Sequence, residues 1–138
     1  MTTNDVASLD SLLEDLVSEI VRLVDDQVFN ERIIVRAPGW RLEYWLDPDT
    51  FAVDLKPDRG AGSVSELDDY QLALIYGLGF EDEGTEDHLL LREEFDYEPG
   101  EQWEEQAIRE LSLLGLAILR DVLDLRPLED YRLEIERA

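Results

Sequence analysis

The sequence predicts an α+β domain: an antiparallel sheet, a three-stranded meander plus one or two further strands, packed with three helices. The predicted order is α-β-β-β-α-β-α, with a candidate strand at the C-terminus. Three observations carry this prediction. Residues 8–26 place Leu9, Leu12, Leu13, Leu16, Val17, Ile20 and Val24 at helical spacing. Residues 32–56 alternate apolar and polar side chains across two turn signals, Pro38-Gly39 and Asp47-Pro48-Asp49-Thr50. Residues 101–125 form a second long helical pattern that stops before Pro127. With 138 residues, 44% of them apolar, the chain fits one domain spanning 1–138. Its core is expected over 8–125, with 126–138 as a tail or an edge strand.

In the first helix Ser8 is the expected N-cap. Asp10 sits in the first turn, where the helix dipole favours a carboxylate, and Asp25-Asp26 mark the end. The strands Arg32–Ala37, Trp40–Asp47 and Phe51–Lys56 follow. Trp40, Leu42, Tyr44 and Leu46 point to one face, and Arg41, Glu43 and Trp45 to the other. A loop over 57–65 leads to a helix from Ser65 to about Tyr76. Its expected buried stripe is Leu67, Tyr70, Leu74 and Leu78, with Gly77 and Gly79 as C-cap candidates. An acidic loop, Glu81–Asp87, precedes a strand over His88–Phe95. In the last helix only Ser112 is polar between Leu111 and Leu119, so that segment is expected to be covered on more than one side. Gly115 at its centre costs about 1 kcal/mol relative to Ala, which suggests a compensating close backbone contact. Tyr131, Leu133 and Ile135 alternate with charged residues, as in a strand.

The charge narrows the function. Thirty-five Asp and Glu stand against 12 Lys and Arg, for a net charge of −23. Such a chain repels phosphates and anionic headgroups, which argues against nucleic-acid and membrane partners. The acidity fits a solvated surface, salt adaptation, or an acidic partner surface such as a chaperone or a DNA mimic. There is no Cys and only His88, which removes disulfides, thiolate chemistry and every site that needs two imidazoles. The N-terminal residues lack a signal-peptide pattern, so a cytoplasmic location is expected.

Catalytic and cofactor motifs fail on spacing. With Gly84 at the sixth position of a calcium loop, Leu90 falls at the twelfth, where Glu is required. Gly60 and Gly62 lack the third glycine of a dinucleotide fingerprint, its position being Ser65. No nucleophile is placed to use His88, and Glu93-Glu94 would need a cleft to do acid–base work. No catalytic residue, cofactor or metal is expected. The aromatic residues say more. Alternation puts Trp45 on the second sheet face with Ile34, Ala52 and Leu90. Two readings stay open: a helix or the tail covers that face, or it is an exposed apolar face that binds another chain.

The element order, the Trp-rich middle strand and the stretch Leu72-Ala73-Leu74-Ile75-Tyr76-Gly77-Leu78-Gly79-Phe80 resemble the type III secretion chaperone-like fold. So does the helix closing on Ile118-Leu119-Arg120-Asp121-Val122-Leu123. The likeness spans residues 8–125. It extends to the stand-alone bacterial branch with the Tir-chaperone-like domains and the sensory transduction regulator proteins. It implies a small acidic homodimer that binds a client polypeptide without catalysis. One departure is visible: such chaperones carry two strands between the second and third helices, and here only His88–Phe95 is clear. The expected function is therefore a non-enzymatic, chaperone-like interaction module, with a DNA-mimic inhibitor as the alternative. Client contact is expected at Ile34, Trp45, Ala52 and Leu90. The dimer contact is expected at Leu113, Leu114, Gly115, Ala117 and Ile118.

Overall fold

Alternation, turn chemistry and two long apolar helix stripes build a single antiparallel sheet with helices on one face. A computed structural model describes residues 2–47, 50–57, 66–82, 89–94, 105–125 and 131–137. The elements run α1 (Thr2–Asp25), β1 (Glu31–Ala37), β2 (Trp40–Asp47), β3 (Thr50–Pro57), α2 (Asp69–Gly77), β4 (Glu81–Asp82), β5 (Leu89–Glu94), α3 (Glu105–Ala117) and β6 (Arg132–Arg137). The six strands lie in the order β4-β5-β3-β2-β1-β6. The meander is as the alternation predicts, and the tail is a strand at the sheet edge.

Three boundaries differ from expectation. α1 starts at Thr2, so Ser8 is an interior residue rather than a cap. No Gly or Pro interrupts residues 2–8, and a helix nucleated on the stripe behind them extends at little cost. α2 starts at Asp69, after an N-cap at Asp68. The Asp68 carboxylate accepts from Gln71 N at 2.7 Å, and Gln71 Oε1 accepts from Asp68 N at 3.0 Å, a reciprocal capping box. The expected acidic loop begins as β4, whose two residues pair with Leu89 and Leu90. Two strands therefore separate α2 from α3 where the sequence shows one.

The core lies between the sheet and the pair α1 and α3. Leu13, Leu16, Val17, Ile20 and Leu23 from α1 meet Ile33 and Val35 of β1, Trp40, Leu42, Tyr44 and Leu46 of β2, and Phe51, Val53 and Leu55 of β3. Ile108, Leu116, Ile118 and Leu119 fill the α3 side. Gly115 explains how α3 comes so close. A Cβ there would lie 2.2 Å from Tyr44 Oη and 2.9 Å from Leu42 Cδ1. The close backbone contact expected of this glycine exists, and it is with the chain's own β2. Buried Ser112 donates its hydroxyl to Ile108 O at 2.7 Å, and its carbonyl accepts from Tyr44 Oη at 3.4 Å.

α3 passes into one π-helical turn, Ile118–Val122, closed by Leu123 N to Ile118 O at 2.9 Å. That turn receives α2. Gln71 Nε2 donates to Val122 O at 3.0 Å, so one amide both caps α2 and fastens it to the end of α3. Gly79, at φ +103, ends α2 in the left-handed region that an L side chain resists. Tyr131 Oη donates to Leu125 O at 2.6 Å and anchors the entry to β6.

Gly115→Ala is expected to lower stability by about 2 kcal/mol in urea unfolding, because overpacking against Tyr44 exceeds the gain in helix propensity. Tyr44→Phe in the same chain removes the nearest obstructing atom and is expected to recover part of that loss.

Candidate functional site

The second sheet face is assembled by register. Ile34 pairs with Glu43 and with Glu134, Trp45 with Arg32 and Ala52, and Asp54 with Glu43 and Leu90. Ile34, Trp45 and Ala52 do share one face, as the alternation requires. Leu90 joins them by backbone pairing opposite Asp54, and its side chain lies outside the described residues.

The face is not an open apolar patch. Ile34 and Ala52 are fully buried and stand apart from the main core, and Trp45 is half-buried. Ile34 and Ala52 therefore offer a partner no surface. Charged side chains dominate here. Glu43 is 2% exposed and collects three cations: Lys56 Nζ at 2.9 Å, Arg32 Nη1 at 3.0 Å and Arg41 Nη2 at 3.3 Å. Lys56 also approaches buried Asp54 at 3.9 Å. The Arg32 guanidinium lies over the Trp45 ring, 5.7 Å from its centroid. Arg36 Nε meets Glu134 Oε2 at 2.7 Å, joining β1 to β6. Sequence reasoning missed this network. Alternation puts Glu43 on the right face, but its burial depends on which residues β1 and β3 set beside it.

Glu43 ties β1, β2 and β3 together electrostatically. Burial pushes its carboxyl up, but Lys56, Arg41 and Arg32 outweigh that and hold it below its ordinary value. Burial alone pushes the Tyr44 phenol far up, so it stays a neutral hydrogen-bond donor.

The expected dimer residues fall in two groups. Gly115 and Ile118 are buried inside the subunit, and Leu114 and Ala117 are half-buried. Only Leu113 is exposed. The apolar wrap of α3 is met mostly by its own chain: the sheet beneath, α1 beside it, and α2 on the π turn. Gly115 and Ile118 have no surface left for a second subunit.

Four exposed large apolar side chains lie together in sequence on α2 and at its C-terminal end. Its expected buried stripe is corrected: Tyr70 is 73% exposed, Leu74 39% and Leu78 42%, with Tyr76 at 43%. The buried side chain of α2 is Ile75, with Leu67 and Leu72 partly packed beside it. The capping box and the Gln71 tether set this rotation. They turn Leu72 and Ile75, three apart, onto the core and leave Tyr70 and Leu74 outside. The signal was present in the sequence as Asp68-x-x-Gln71.

His88, and the side chains of Glu93 and Glu94, lie outside the described residues. No helix among the described residues is long and apolar enough to cross a membrane. No protein-family model matches this chain, and no curated protein or solved structure matches it.

Glu43→Gln is expected to cost roughly 1–3 kcal/mol at pH 7, since it leaves three cations without their shared carboxylate. A carboxyl with a lowered folded-state pKa stabilises above its unfolded value and loses that contribution as the pH falls through the folded one. The difference between wild type and Glu43→Gln in urea unfolding should therefore shrink steadily below about pH 4.5, the ordinary carboxyl value.

Proposed function

We propose that this chain is a non-enzymatic, chaperone-like interaction module that engages another polypeptide through the outer surface of α2. One observation carries the reading. Tyr70 to Phe80 is an eleven-residue stretch without a charged side chain, in a chain of net charge −23. Tyr70, Leu74, Tyr76 and Leu78 from that stretch stand in solvent. Together they expose roughly 400 Å² of largely apolar surface, the scale at which a patch on a soluble domain marks a contact site. The resemblance to secretion chaperones rests most heavily on the same segment, Leu72–Phe80.

The acidity fits this role. A large net charge limits nonspecific aggregation while an apolar patch remains available. Trp45, half-exposed under Arg32, is a second contact point on the opposite sheet face. Its chemistry suits an aromatic or acidic group on the partner.

A photo-crosslinking side chain at position 74 tests the reading in a native lysate, with position 15 on exposed α1 as the control. Discrete protein adducts at 74, absent at 15 and lost with Tyr70→Glu, are the expected result. Equal or absent adducts at both positions would contradict it.

A further inference from the structure

The two edges of the sheet are unlike each other. β4 is described over two residues, Glu81–Asp82. β6 has six, pairs with β1 without a break from Glu31↔Arg137 to Arg36↔Arg132, and contains no proline. Among the described residues its outer edge has no neighbouring strand, which leaves a row of backbone groups for pairing. On its core side Leu133 packs partly against the core, while Ile135 is 50% exposed. Among the described residues no strand lies beyond this edge, which ends in a half-exposed apolar side chain.

The residue pattern says what fits there. β6 reads Arg132-Leu133-Glu134-Ile135-Glu136-Arg137. Two copies can meet antiparallel about a two-fold axis at Glu134, with like faces kept together. Arg132 then stands opposite Glu136 of the second copy, and Leu133 opposite Ile135, each pair occurring twice. The two Glu134 side chains meet at the axis, and each already has Arg36 at 2.7 Å to balance it. A shift that puts Ile135 on the axis sets Glu134 against Glu136 and Leu133 against Arg137, both unfavourable. A shift to Leu133 leaves Glu136 and Arg137 overhanging. The register at Glu134 pairs residues 132–136, five of the six in the strand, and sets Arg132 against Glu136 twice.

We infer that β6 is a self-association edge, joining two copies of this chain into one continuous twelve-stranded sheet through Arg132–Glu136 and Leu133–Ile135 cross-strand pairs. The occupant is a second copy because the strand complements its own reversed sequence in both charge and apolar position. The contact leaves α2 and Trp45 untouched, so it stands independently of the proposed client surface. General repulsion between two chains of charge −23 opposes it, and at physiological salt that repulsion is screened over about 8 Å.

Sedimentation equilibrium in 0.15 M salt tests the edge. The wild type is expected at twice its 16.0 kDa chain mass at high concentration. Arg132→Glu and Glu136→Arg each place like charges opposite one another and should weaken association by at least about tenfold. The double swap restores the opposition and should restore the dimer. Because the chain has no cysteine, Glu134→Cys provides a second readout that needs neither swap to fold. Mild oxidation should give a disulfide-linked dimer, while Asp15→Cys should not. A monomer at every concentration, a dimer indifferent to the single swaps, a double swap that fails to recover, or equal crosslinking at both cysteines would each overturn the inference.

Discussion

The approach of α3 to β2 at Gly115 determines most of what is exposed on this molecule. Because residue 115 has no Cβ, Tyr44 and Leu42 occupy the space a side chain would need. α3 therefore sinks against the sheet far enough to bury Ser112, Leu116 and Leu119 completely. The π turn at its end then presents Val122 O to Gln71, and that single amide sets where α2 sits and which way it faces. A helix that is apolar almost all round is satisfied within its own chain. The shorter helix α2 is the one that leaves apolar side chains in solvent.

Much of the fold was legible because strand alternation is unambiguous when one face is a core. The meander and the inward set Trp40, Leu42, Tyr44 and Leu46 follow from a period of two, whereas for residues 131–136 the same period left a strand and a tail both open. Helical stripes were less decisive. α2 is apolar on every side, so periodicity could not choose between Tyr70–Leu74 and Leu72–Ile75 as the buried pair. The choice is made by tertiary contacts, through Gln71 and the π turn. The all-apolar segment of α3 pointed correctly to cover on several sides. It could not say whether the cover came from a neighbour or from the chain itself.

The second sheet face shows the same limit for charge. Ile34, Trp45 and Ala52 were placed together correctly, but the residues between them decide the character of the face. Arg32, Arg41 and Lys56 come from three strands and converge on Glu43, an arrangement that exists only once register is fixed. Buried ion pairs add little net stability over apolar packing, yet they penalise misalignment strongly. In this chain the cluster joins β1, β2 and β3 at one buried carboxylate.

The claim that α3 is sheltered by its own subunit is tested most directly by amide hydrogen exchange at low and high protein concentration. Amides of residues 111–119 should exchange as slowly as those of β2 and share the same concentration dependence, because both report opening of one core. Protection of 111–119 that disappears on dilution while β2 stays protected would mean that another molecule supplies the cover, and would contradict the account.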